Sequence, residues 1–103
     1  MDEQLKRSLE LHQQNRLAEA LQLYEVILQQ AHPPVQVFLN SSAIWRSQGK
    51  QDKAIECLTR GLQHYPLEPG LWNNLGNCQM DCSATTRAVV AFRKTLALNP
   101  GFT

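Results

Sequence analysis

Long hydrophobic runs are absent from this 103-residue sequence. Nothing approaches the roughly 18 consecutive apolar residues that a membrane-spanning helix requires, which excludes a helical bilayer span. The opening stretch, MDEQLKRSLELHQQ, is charged and holds no apolar core, so it is not a secretory signal. An excess of one charge is missing too. Ten Lys and Arg stand against nine Asp and Glu, for a formal charge of +1, and no block of like charges occurs. Electrostatics therefore gives no reason to expect nucleic acid or an anionic membrane as a partner. Cysteine is scarce and odd in number, at three. That count fits a reducing compartment better than a disulfide framework, and the cytoplasm is the expected location.

The signatures of catalysis are also wanting. There is no Gly-rich phosphate loop, no G-x-S-x-G elbow and no H-E-x-x-H pair. Glu19, Glu25 and Glu56 fall on polar helix faces, and His32 falls in a turn, so neither an enzyme nor a cofactor is expected. Cys78 and Cys82 lie four residues apart and would share a helix face, as half of a metal site would. His12, His32 and His64 are scattered, no second pair completes a four-ligand spacing, and no metal is expected. Cys57 and Cys78 read instead as small apolar filler, since a free thiol packs like one.

What the chain does have is a period. Ala20, Ala54 and Ala88 recur at a constant 34-residue interval, as do Leu28, Leu62 and Leu96. Large apolar residues keep the same interval at Tyr24, Leu58 and Phe92, and small ones at Ser8, Ser42 and Gly76. Pro66 and Pro100 follow it as well, with Pro33 one residue off. Three units, 1–34, 35–68 and 69–102, account for a single domain.

Inside each unit the pattern is helix, break, helix. In VQVFLNSSAIWRSQ, the residues Phe38, Ser41, Ser42 and Trp45 form one helical stripe. Gly49 and Lys50 supply the break. QDKAIECLTRGLQHY then carries a second stripe through Ala54, Ile55, Leu58, Gly61, Leu62 and Tyr65, which Pro66 ends because proline cannot continue a helix. No useful β-alternation occurs, and the expected class is all-α. Mid-helix, Gly76 costs about 0.5–1 kcal/mol relative to Ala. The periodicity predicts what offsets this: small residues of the first helix facing Ala20, Ala54 and Ala88 of the second. Trp72, Leu75, Phe92 and Leu96 are expected to fill the wider space around them.

These residues resemble the tetratricopeptide repeat (TPR), a 34-residue helix–turn–helix with the pattern W-x2-L-G-x2-Y, A-x3-F, P. The third unit carries the pattern best, with Trp72, Leu75-Gly76, Ala88, Phe92 and Pro100, and with Gln79 in place of an aromatic residue. The second has Phe38, Trp45, Ala54 and Pro66, with Ser41-Ser42 for Leu-Gly and Leu58 for the aromatic residue. The first keeps Ala20 and Tyr24 but shows Gln4 and Arg7 at packing positions, as suits an N-terminal cap that meets water.

The resemblance implies a right-handed α-solenoid of six helices. It also implies a non-catalytic protein–protein interaction module, whose concave groove takes a peptide or a partner helix. Unit one would contribute Leu5, Leu9, His12 and Gln13 to that groove, unless Leu5 and Leu9 are core in a rotated first helix, which is the reading preferred for them. Unit two would contribute Gln36, Leu39, Asn40, Ala43, Arg46 and Ser47. Unit three would contribute Gly70, Asn73, Asn74, Asn77, Met80 and Asp81. Asn40 and Asn74 are one period apart, and an Asn amide offers both a donor and an acceptor to a peptide backbone. That arrangement is similar to the asparagine-lined superhelix of O-linked N-acetylglucosamine transferases. Arg46 and Asp81 would set the charge preference, and Leu39 and Met80 would give apolar grip. The carboxylate clamp of co-chaperones in this family fails here: Asn40 matches, but Leu5, Leu9, Gly70 and Asn74 do not.

The last helix is more apolar than its predecessor, with Val90 for Glu56 and Leu98 for His64. Two expectations follow. Either a further repeat of a longer protein covers Val90 and Leu98, which would make these units the substrate-recruiting arm of a larger transferase, or that face self-associates into a homo-oligomer.

Overall fold

The computed structural model describes residues 3–102. Its six helices are α1 (Glu3–Gln13), α2 (Leu17–Leu28), α3 (Val35–Ser47), α4 (Gln51–His64), α5 (Pro69–Asp81) and α6 (Thr85–Leu98). They pair as antiparallel hairpins α1/α2, α3/α4 and α5/α6, and the pairs stack in sequence order, α3 on α2 and α5 on α4. The result is an all-α helical-repeat stack of TPR-like form, about 38 Å along its longest axis.

The hairpin turns are built alike. Asn15, Gly49 and Ser83, each 34 residues from the next, adopt the left-handed conformation, with φ of 61°, 76° and 60°. Each is the second residue past its helix, just beyond the residue that caps it. The amide after it donates back to the carbonyl five residues earlier: Arg16 to Leu11, Lys50 to Trp45 and Ala84 to Gln79, at 2.8–2.9 Å. Two carbonyls that the helix end would leave orphaned are thus satisfied at every turn, because the turn residue's own amide bonds the carbonyl of His12, Arg46 or Met80.

Proline sets the junctions between hairpins. α4 stops at His64, with Tyr65 leaving the helical region just before Pro66. Pro69 opens α5 in its first turn, where a missing amide hydrogen is harmless, and the Glu68 carboxylate accepts from the Gly70 amide at 3.3 Å. The hydroxyl of Tyr65 donates to the Pro33 carbonyl at 2.6 Å, which ties the first junction to the end of α4.

Ala20, Ala54 and Ala88 are wholly buried, and so are Tyr24 and Leu58. Ser8 and Ser42 are buried opposite them, each hydroxyl donating to a carbonyl of its own helix. Leu5 belongs to the core and Leu9 packs against it, which settles the first helix in favour of packing. Two expectations need correction. A Cβ on Gly76 would come within 2.5–2.9 Å of the Phe92 ring, so the nearest thing the glycine makes room for is an aromatic ring. Gly61 does the same for Phe38, at 2.9–3.2 Å. Leu96, expected inside, is exposed. Its repeat partner Leu28 is buried beneath the following hairpin, and among the described residues no helix follows α6.

Candidate groove between the first helices of units two and three

The first helices of the second and third hairpins turn one face each toward a common cavity of about 450 Å3. From α3 come Ser42, Ala43, Arg46 and Ser47, and from α5 come Asn74, Asn77, Cys78 and Asp81. These positions repeat at intervals of three and four, one stripe of each helix, with the buried Ser42 and Cys78 at the edge where that stripe meets the core. Gln51, at the start of α4, closes one end.

Arg46 and Asp81 do not offer two independent charges. Nε of Arg46 donates to Oδ2 of Asp81 at 2.6 Å and its terminal nitrogen donates to Oδ1 at 3.2 Å, a two-pronged pair that joins α3 to α5. Gln51 Nε2 approaches the same carboxylate at 3.5 Å. The Arg46 hydrogen bonds hold the Asp81 carboxyl below the usual aspartate range, against a smaller opposing effect of desolvation. Arg46 shifts upward for the same reason. The expected charge preference therefore becomes a neutral, self-satisfied bridge.

The two repeated asparagines differ. Asn40 Nδ2 donates to the Tyr24 hydroxyl at 3.2 Å, and that hydroxyl lies 3.0 Å from Nδ1 of His12. With the amide donating, the hydroxyl keeps its proton for the imidazole, and one chain of hydrogen bonds links α1, α2 and α3. Burial pushes the Tyr24 phenol above its ordinary value, and the Asn40 donor partly opposes this. Asn74 lies one period further on, where the residue equivalent to Tyr24 is the buried, hydroxyl-free Leu58. Among the described residues, the side chains of Asn74 and Asn77 make no hydrogen bond, and both are half-buried at the wall of the cavity.

Of the residues expected in the groove, the cavity thus brings together Ala43, Arg46, Ser47, Asn74, Asn77 and Asp81. Asn40 and Asn73 lie outside its lining, as do Leu39 and Met80. Leu39 reaches instead toward Gly70, where an added Cβ would sit 3.3 Å from its methyl. Met80 is exposed beyond the cavity. Sequence reasoning missed Ser42, Gln51 and Cys78 as lining residues, and the Arg46–Asp81 pair. Opposite charges one period apart, plus one residue, were the available signal for that pair.

The thiols are free. Cys57 lies buried with its sulfur 3.6 Å from the Phe38 carbonyl, and burial pushes its pKa up to about 12. Burial also raises Cys78, at the cavity wall, while Cys82 is exposed. Among the described residues no group of three His, Cys, Asp or Glu side chains could hold a metal ion. No helix among them is long and apolar enough to cross a membrane.

The fold defines a class, the TPR-like helical-repeat solenoids. No family model matches the sequence, and no curated protein matches it either. Solved structures do. PcrH from Pseudomonas aeruginosa superposes with a TM-score of 0.88 over 99% of this chain and 81% of its own, at 17% identity. PcrH in complex with the chaperone-binding region of PopD superposes with a TM-score of 0.84 over 92% of this chain and 71% of its own, at 18% identity.

Proposed function

We propose that this chain is a non-catalytic protein-interaction module of the tetratricopeptide-repeat type, and that it holds an extended segment of a partner in the groove between α3 and α5. One observation carries the reading. Asn74 and Asn77, three residues apart on α5, present amides without partners among the described residues to a cavity of about 450 Å3. Each amide has a donor and an acceptor, the two things an extended backbone needs, whatever its side chains. The Arg46–Asp81 bridge beside them carries no net charge, which suits an uncharged stretch of partner. The fold is one that binds protein in at least one neighbour, since PcrH forms a complex with the chaperone-binding region of PopD.

The chemistry in the groove argues for binding over catalysis. Its one thiol, Cys78, is shifted away from the reactive thiolate, and its one carboxylate is already engaged by Arg46. Three free thiols with no bridge between them suit a reducing cytoplasm.

The test is capture of partners on three immobilised baits: wild type, Asn74→Ala/Asn77→Ala and Asn40→Ala. The proposal requires partners held by wild type and Asn40→Ala to be lost from the double variant, which remains folded by circular dichroism. The same partners on the double variant as on wild type would remove it.

A further inference from the structure

We propose that the outer face of α6 is a second docking surface, separate from the groove, and that it receives an acidic amphipathic helix of a partner protein. The repeat itself locates the surface. Leu21 and Leu28 of α2 are 8% and 4% exposed, with α3 lying against that helix. One period on, Ile55 and Leu62 of α4 are half-buried, with α5 lying against it. One period further, the equivalent Val89 and Leu96 of α6 are 40% and 51% exposed, with Val90 beside them at 60%. Val89 and Leu96 are seven residues apart and share one stripe. The stripe thus continues an interface already used twice, and a helix laid as α3 lies on α2 would cover it.

Charge selects the occupant. The ionisable side chains of α6 are Arg87, Arg93 and Lys94, and the helix carries no carboxylate. Arg93 lies between Val89 and Leu96, so the apolar stripe is edged with positive charge. Lys94 is turned over the Trp72 ring at 5.9 Å. Arg87 and Arg93 are exposed and make no ion pair or hydrogen bond among the described residues.

A second copy of this chain fits poorly in either orientation. Pairing α6 with its own image would bring arginines against arginines across the stripe. Docking head to tail would offer α1, whose positions equivalent to Val37, Phe38 and Ser41 are Glu3, Gln4 and Arg7 and provide no apolar edge. A helix with an apolar stripe flanked by Asp and Glu satisfies both the shape and the charge.

The probe is a fluorescently labelled amphipathic helical peptide of α6 length, made in two versions. One has glutamates and the other lysines flanking an identical leucine stripe. Anisotropy is measured with the full chain at low salt and again at about 1 M salt, where screening is nearly complete. The glutamate peptide should bind several-fold more tightly than the lysine peptide, with the gap closing in high salt. Leu96→Glu, at an exposed position, should abolish binding, and Arg93→Glu should reverse the preference. Asn74→Ala/Asn77→Ala should leave it unchanged, which separates this surface from the groove. Equal binding of the two peptides, no binding, or loss of binding in the asparagine variant overturns the proposal. So does self-association, by analytical ultracentrifugation, that Leu96→Glu abolishes.

Discussion

The side-chain amide of Asn40 donates to the hydroxyl of Tyr24 across the junction of the first two hairpins, at 3.2 Å. Asn74 occupies the equivalent place one period later and finds Leu58 where the phenol would be. One residue type at one spacing therefore does two jobs. In the second unit it closes an internal hydrogen-bond chain, and in the third it leaves an amide facing the groove.

Tyr24→Phe should therefore cost about 1 kcal/mol of stability, the usual net worth of a hydrogen bond, and more if Asn40 cannot find water. Asn40→Ala should cost a similar amount. Asn74→Ala should change stability by less than about 0.5 kcal/mol, as surface substitutions do. Urea denaturation with an unchanged slope reads all three. Equal losses at Asn40 and Asn74 would mean that the two amides are equivalent after all.

Gly76 and the Phe92 ring occupy space that no added Cβ can share. Gly76→Ser should overpack the α5/α6 hairpin and cost roughly 1–3 kcal/mol. The second hairpin points to the remedy, since Ser42 and Leu58 stand at the equivalent positions there, both buried. Phe92→Leu introduced into Gly76→Ser recreates that pairing and should recover most of the loss. A double-mutant cycle measures it, and simple additivity would show that the ring is not what the glycine accommodates.

Ser83 is the least suited of the three left-handed turn residues. Gly49 pays no Cβ penalty there and Asn15 only a small one, whereas a left-handed serine costs about 1–2 kcal/mol. Ser83→Gly should raise stability by roughly 0.5–1 kcal/mol after the added freedom of the unfolded chain is counted. Gly49→Ala should lower it by about 1 kcal/mol. Both appear as shifts of the thermal midpoint, and a neutral Ser83→Gly would mean that this turn relaxes in solution.

The 34-residue period was legible because packing enforces it. Ala20, Ala54 and Ala88 must be small wherever two helices cross, and each helix pair must repeat the same crossing. Which element each stripe met was less legible. Ser41 stands where the repeat pattern has leucine, and its buried hydroxyl has no partner among the described residues. Nothing in the spacing announces that. Leu96 obeyed the period but not the burial, because burial depends on a neighbour that periodicity presupposes. The groove was half legible. The resemblance put Arg46, Asn74, Asn77 and Asp81 on one side, whereas engagement with Tyr24 or with another charge is a tertiary fact.

The Arg46–Asp81 bridge makes the groove sensitive to acid, and its sign can be worked out. The Arg46 hydrogen bonds depress the folded-state pKa of Asp81 below its ordinary value of about 3.9, so the folded form binds that proton less readily than the unfolded form does. The bridge's contribution is therefore complete above the ordinary aspartate value and is lost as pH falls through the lower, folded value. Protonation removes one charge of the pair, leaves Arg46 free in the groove, and releases the link from α3 to α5. Carboxyl resonances followed by NMR should show Asp81 titrating below the ordinary value in wild type and near it in Arg46→Ala. Because both side chains are partly exposed and screened by solvent, the stability change should be small. The larger change should be in specificity: Asp81→Asn exposes an uncompensated guanidinium, so the groove should gain affinity for acidic segments, and that gain should fade with added salt. An Asp81 that titrates identically with and without Arg46 would mean that the bridge does not persist in solution, and the groove would then carry two independent charges.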